Sequence, residues 1–245
     1  HNTVTVDGLA LYDCKDSWES GHLTRTVNQK FFSDSRYGYV EGGHLGYYEK
    51  GVYVNRRLIF LKPDVLIAVD EFYSGGSHAC RQFFHWGETG KLSQEGGVFR
   101  WAGQSASAQL RLVSSTPMTT AVRAGRVSRH YNHAVENEVL ETAIQGNGFV
   151  GVFSVLALDP VGAEEAVAVE KLPVMSNFKG IQFADKEIEA LSVRKGKRSW
   201  VVVVSHMEYA SPTDTFHAGG CNGFGGVVVF DEGAGERETG TVLAR

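Results

Sequence analysis

Glycine and polar turn signals interrupt this chain roughly every 8–12 residues, and short runs of alternating apolar and polar residues lie between them. Such spacing leaves little room for helices. It predicts strands at Thr3–Asp7, Val52–Leu61, Val65–Phe72, His78–Trp86, Val98–Ala102 and Ala108–Val113. Further runs follow at Val139–Ile144, Phe149–Ala157, Ala166–Leu172, Gly180–Phe183, Ile188–Val193, Trp200–Ser205 and Val227–Phe230. Lys62-Pro63-Asp64 separates two of these as a hairpin turn. Gly75-Gly76 and Gly146-Asn147-Gly148 read as further turns, and Gly219–Gly226 as a bent loop or β-corner. The expected fold is all-β: one large antiparallel β-sandwich domain over residues 1–245.

Composition agrees and excludes several classes. Gly 29 against Pro 5, with 42% hydrophobic and 21% charged residues, is a globular balance rich in turns. A core of this size buries about 70–75% of the unfolded surface, so folding needs neither metal nor disulfide. No apolar run approaches the roughly 20 residues of a membrane helix. A formal charge of −4 argues against a nucleic-acid partner. Cys14, Cys80 and Cys221 are three and form no CxxC, so they read as small buried hydrophobes. His1 in place of Met suggests a piece of a longer protein. No signal peptide is visible, and a periplasmic or secreted address is favoured over a cytoplasmic one.

The candidate chemistry is dispersed. Nine histidines include His1, His22 and His44, with Asp7, Asp13, Asp16, Glu19, Asp34 and Glu41 among them. Imidazole and carboxylate together suit zinc or a similar ion, yet no compact motif such as HExxH occurs. Scattered surface histidines are the plainer reading. There is no GxSxG and no phosphate-cradling loop. Arg56 and Arg57 are adjacent in a strand, so one faces the core side and the other is free to line a groove and grip a carboxylate. Arg56 is the candidate for that role, against the alternative of a solvated surface arginine. Tyr47 is a candidate for stacking on a sugar ring, against a place in the core. His78 and His85, seven apart, point to opposite faces of an unbulged strand.

Several fragments resemble one family in order along the chain. His1-Asn2-Thr3-Val4-Thr5-Val6-Asp7-Gly8 resembles the HNTV-x-V-D-G opening of the heparinase II/III-like domain of polysaccharide lyases. Gly43-His44-Leu45-Gly46-Tyr47 is similar to its H-x-G-Y segment, and Val54–Phe60 to its h-R-x-h-x-F strand. Val69-Asp70-Glu71-Phe72, the stretch from His78 to His85-Trp86, and Tyr131-Asn132 match later elements.

The resemblance implies a lyase that cleaves uronic-acid glycans such as heparin, heparan sulfate or alginate by β-elimination. It implies that an N-terminal α/α toroid of the same parent protein carries most catalytic groups, so no catalytic residue is assigned here. The isolated chain is then expected to be inactive. It also implies a structural divalent metal, zinc by preference, held by His1, Asp16 and His44, with Glu19 as the alternative acidic ligand. Expected partners are an acidic polysaccharide and the toroid. Two other classes compete. A copper polysaccharide monooxygenase would use His1 and His44 as a histidine brace, and a non-catalytic sandwich would only bind carbohydrate.

Overall fold

The computed structural model describes residues 1–11, 16, 18–19, 24–207, 211, 213–233 and 240–244. Strands dominate, and every pairing is antiparallel. They are β1 (Val4–Val6), β2 (Thr26–Ser33), β3 (Tyr37–His44), β4 (Val52–Leu61), β5 (Val65–His85), β6 (Lys91–Glu95), β7 (Val98–Ala102), β8 (Ala106–Ser114) and β9 (Met118–His130). The remainder are β10 (His133–Pro160), β11 (Val167–Leu172), β12 (Met175–Ser176), β13 (Ile188–Lys195), β14 (Arg198–Ser205), β15 (Phe216–Ala218), β16 (Cys221–Gly223), β17 (Val227–Asp231) and β18 (Thr241–Ala244). A short 3₁₀ turn covers Tyr48–Lys50. The all-β sandwich expected from the turn spacing is therefore the observed fold.

Three layers stack. The large sheet runs β2-β3-β4-β5-β10-β8-β7-β6, with β1 added to β5 and β9 to β10. The middle sheet runs β11-β13-β14-β17-β18, and a small sheet, β12-β15-β16, covers its far side. Tyr39, Ile59, Ile67, Val69, Phe153 and Val155 of the large sheet pack against Leu191, Val193, Val202, Val204 and Val229 of the middle one. Val201, Val203 and Val228 point the other way, onto Phe216 and Cys221. The middle sheet is thus buried on both faces. This explains why Val201–Val204 and Val227–Val229 are unbroken valine runs, whereas β4 alternates.

The Val52–Leu61/Val65–Phe72 hairpin forms in the expected register, Leu61 opposite Val65. Two predicted turns do not reverse the chain. β5 passes through Gly75-Gly76 and β10 through Gly146–Gly148, so Val65–Phe72 and His78–Trp86 belong to one strand line. Both flanks of each glycine cluster pair with the same partner, and the register shifts between Asn147 and Phe149. Small residues opposed across a ribbon let it bulge and bend without ending the pairing. The predicted strand at Gly180–Phe183 reduces to a single bridge, Gln182 with Met175. At Gly219-Gly220 both φ values are positive (56 and 82), and the two glycines close the β15–β16 hairpin.

Buried ions bracket the main core. At the β4–β5 turn end, Lys195 Nζ of the middle sheet lies 2.6 Å from both Asp64 and Asp159. The other bracket is the polar cluster described next.

Candidate functional site

On β5 the core-facing positions read Val65, Ile67, Val69, Glu71, Tyr73. On β4 they read Leu61, Ile59, Arg57, Asn55, Tyr53. The same two-residue period that builds the core therefore carries a change from apolar to polar along one sheet face. Registration aligns the change, with Asn55 opposite Glu71, Tyr53 opposite Tyr73 and Arg57 opposite Glu41 of β3. Across the interface lie Glu189 of β13, Lys171 of β11 and His206, the residue after β14.

These groups form a chain of alternating charge through the protein. Lys30 Nζ is 3.4 Å from Glu41 Oε2, and Glu41 Oε1 is 3.7 Å from Arg57 Nε. Arg57 Nη2 is 3.1 Å from Glu71 Oε1, which sits 2.5 Å from His206 Nδ1. His206 Nε2 meets Glu189 Oε2 at 3.1 Å, and Lys171 Nζ bridges Glu189 and Asp185 at 2.8 and 2.7 Å. The side chains of Glu71, His206 and Glu189 are fully buried. Burial by itself disfavours a charged imidazole, but the hydrogen bonds to Glu189 and Glu71 and their charges outweigh it and raise the His206 pKa. Burial likewise opposes Glu71 ionisation, and His206 and Arg57 reverse that, lowering its pKa. The two flanking carboxylates thus favour the protonated form of the His206 ring. Phe149 packs on its ring at 4.6 Å.

A cavity of about 600 Å³ opens above this chain. Asn28 and Lys30 form its exposed rim, Tyr53 and Tyr73 its wall, and Arg57 and His206 its floor. A register shift between Val27 and Lys30 sets the rim, and Asn28 takes a left-handed φ of 56 there. Asn28 Nδ2 donates to Glu41 Oε1 at 2.7 Å. A Cβ at Gly43 would collide with the end of the Tyr53 ring, so any side chain there has to displace the wall.

This arrangement suits binding more than proton abstraction. Both His206 nitrogens are occupied by carboxylates, so the ring offers no lone pair to a substrate. Burial raises the Tyr53 and Tyr73 pKa values, which makes their phenolates poor resident bases. Arg57 is shared by Glu41 and Glu71.

The residues singled out in the sequence lie elsewhere. Arg56 faces the opposite side of the large sheet. Its Nε and Nη2 grip Asp70 at 2.5 and 2.8 Å, and Nη1 donates to the Asn2 carbonyl at 2.6 Å. Tyr47 is buried, and its hydroxyl faces the Val4 and Leu9 carbonyls at 3.3 and 3.1 Å. His44 packs on Tyr47, ring centroids 5.7 Å apart, and its Nδ1 accepts the Gly46 N–H at 3.2 Å. Burial, then the Arg56 charge, lower the His44 pKa. The structure therefore gathers His44, Tyr47 and Arg56 on one face.

The proposed metal ligands are not brought together in the same way. The His1 amine lies 3.3 Å from His85 Nε2. Asp16 Oδ1 caps its own turn, accepting the Trp18 and Glu19 N–H groups at 2.6 and 2.8 Å. Among the described residues no three His, Cys, Asp or Glu side chains converge as a metal site. The candidates His22, Asp13 and Cys14 lie outside the described residues. A metal on His44 Nε2 would require the proton on Nδ1, where the ring now accepts from Gly46, so binding there has to release that hydrogen bond.

Sequence reasoning missed Glu71, Glu189, Lys171 and His206 as a unit. One signal was present: Glu71 continues the inward series Val65, Ile67, Val69. A carboxylate in that phase needs a buried partner.

Comparison with known proteins agrees with the fold. The family described as Heparinase II/III-like, C-terminal, matches residues 1–168. Among curated proteins, none matches. The heparan sulfate lyase HepC mutant from Pedobacter heparinus is similar in structure, with a TM-score of 0.64 and 10% identity, over 85% of this chain and 31% of that one. A heparinase III gene product gives 0.64 and 13%, over 84% and 30%. Another heparinase III structure gives 0.60 and 10%, over 84% and 29%. At these identities the likeness is one of fold, and this chain spans about three-tenths of the length of those structures. With more than half of its length matched, the chain belongs to the heparinase II/III-like family and corresponds to its C-terminal domain.

Proposed function

We propose that this chain is the C-terminal β-sandwich of a polysaccharide lyase that cleaves uronate-containing glycans by β-elimination. The observation that carries the reading is the family match over residues 1–168. The structural likeness to heparan sulfate lyase and heparinase III supports it. β-Elimination needs a base for the proton α to the carboxylate, an acid for the leaving oxygen and a group that neutralises the carboxylate. The buried cluster offers no free base, so in this reading the proton-transfer groups lie mainly on the parent's toroid. The test is formation of unsaturated uronate, followed in the near ultraviolet, by the parent protein and by residues 1–245 alone, on heparin, heparan sulfate and alginate. Turnover confined to the parent is the expected result.

Zinc at His1, Asp16 or Glu19, and His44 is a separate proposal with a structural role. Binding there has to release the Gly46–His44 hydrogen bond, and no catalytic step is routed through the metal.

A further inference from the structure

We propose that the cavity above Arg57 and His206 is a binding pocket for one anionic pyranose unit, a hexuronate. Three features converge on this ligand.

The first is shape. About 600 Å³ lies within the range of small-molecule sites and accommodates a sugar ring with room to spare. Tyr53 and Tyr73, ring centroids 5.8 Å apart and inclined by 32°, form a broad aromatic wall, and Phe149 packs against Tyr73 with centroids 5.3 Å apart. Such a wall suits the C–H face of a pyranose.

Charge is the second feature. Among the described residues lining the cavity, Lys30 and Arg57 are cationic, His206 is drawn toward its cationic form by the carboxylates beside it, and Glu41 is the anion. Arg57 and His206 are neutralised from behind by Glu71 and Glu189. Lys30 differs. Its side chain is 44% exposed, and it contacts Glu41 Oε2, which already accepts the Tyr39 hydroxyl at 2.7 Å. The least committed cation is therefore at the rim, where a carboxylate enters without losing all of its water.

The third feature is hydrogen bonding inside. Asn55 spends its amide nitrogen on Glu41 and Glu71, at 3.1 and 2.6 Å. Its buried Oδ1 has no partner among the described residues. A buried acceptor without a donor is costly, and a sugar hydroxyl is a donor of the right kind. The ligand then lies with its ring on the tyrosines, its carboxylate toward Lys30 and a hydroxyl toward Asn55. The choice of a uronate over another anionic sugar rests on the lyase reading. The pocket itself rests on the cavity.

The test is calorimetric titration of the 245-residue chain with glucuronate, glucose and acetate, and with a glucuronate-terminated tetrasaccharide. Glucuronate should bind at least about tenfold more tightly than glucose or acetate. Lys30→Met should abolish the preference over glucose, and Tyr53→Ala should weaken both sugars. Melting temperatures confirm that each variant is folded, and Lys30 is exposed enough to be the safer of the two. The tetrasaccharide separates sources: binding equal to the free sugar marks a site for a single unit, and tighter binding marks a chain end. No glucuronate binding, equal binding of glucose, or a preference that survives Lys30→Met overturns the proposal. Loss of this binding with parent turnover intact removes the pocket alone. Retained binding with no turnover removes the lyase reading alone.

Discussion

His206 Nδ1 lies 2.5 Å from Glu71 Oε1, so a residue that follows the middle sheet is anchored on the large one. Nε2 reaches Glu189, and one imidazole ring therefore contacts carboxylates from both layers. Buried ion pairs are not stabilising merely by existing, because desolvation offsets most of the attraction. Breaking one is a different matter, since an orphaned charge stays behind.

Replacing His206 tests that asymmetry. His206→Leu should cost about 3–5 kcal/mol, because Glu71 and Glu189 both lose their shared counter-charge. Urea unfolding gives the number. Glu189→Gln in the same background should add much less than it costs alone, since the partners act as one unit. Strict additivity would show that the groups are not coupled.

Stability should also depend on pH in a specific way. The folded His206 pKa is raised, so its contribution is complete below about pH 6.5 and disappears as pH climbs through the raised value. The folded Glu71 pKa is lowered, so its contribution is complete above about pH 4.5 and disappears as pH falls through the lowered value. Both are present between these limits. Unfolding free energy measured against pH should decline on the alkaline side, and His206→Gln should flatten that limb.

Arg56 is a strut, held by Asp70 and the Asn2 carbonyl. Arg56→Lys keeps the charge and loses the fork, a change worth about 1.5–3 kcal/mol. Hydrogen exchange should accelerate first in β1, whose approach the Asn2 contact secures. Unchanged protection at Val4–Val6 would contradict the role.

Metal analysis bears on His44. The zinc proposal expects one equivalent per chain, lost in His44→Ala, with a lower melting temperature after chelation. No metal, or content indifferent to His44→Ala, rejects it.

The fold was legible because turn chemistry and two-residue alternation are local. The β4–β5 hairpin follows directly from Lys62-Pro63-Asp64 and its flanks. β9 escaped notice because most of its residues are exposed, so it carries little apolar alternation. Gly75-Gly76 was misread because a glycine pair permits a bend as readily as a reversal, and only the partner strand decides. The site was less legible for the same reason. Arg56 and Arg57 are equivalent in sequence, and which one faces the cavity depends on the phase of β4. His206 follows four valines and a serine, and nothing local indicates that Glu71, 135 residues earlier, waits opposite.

The central claim is that this domain belongs to a uronate lyase whose proton-transfer groups lie largely outside it. The most direct measurement is near-ultraviolet absorbance of unsaturated uronate, with the parent protein and residues 1–245 assayed side by side on the same glycans. A rising signal from the parent and none from residues 1–245 is the expected result. A comparable signal from residues 1–245 alone, or none from the parent on any uronate glycan, would contradict it.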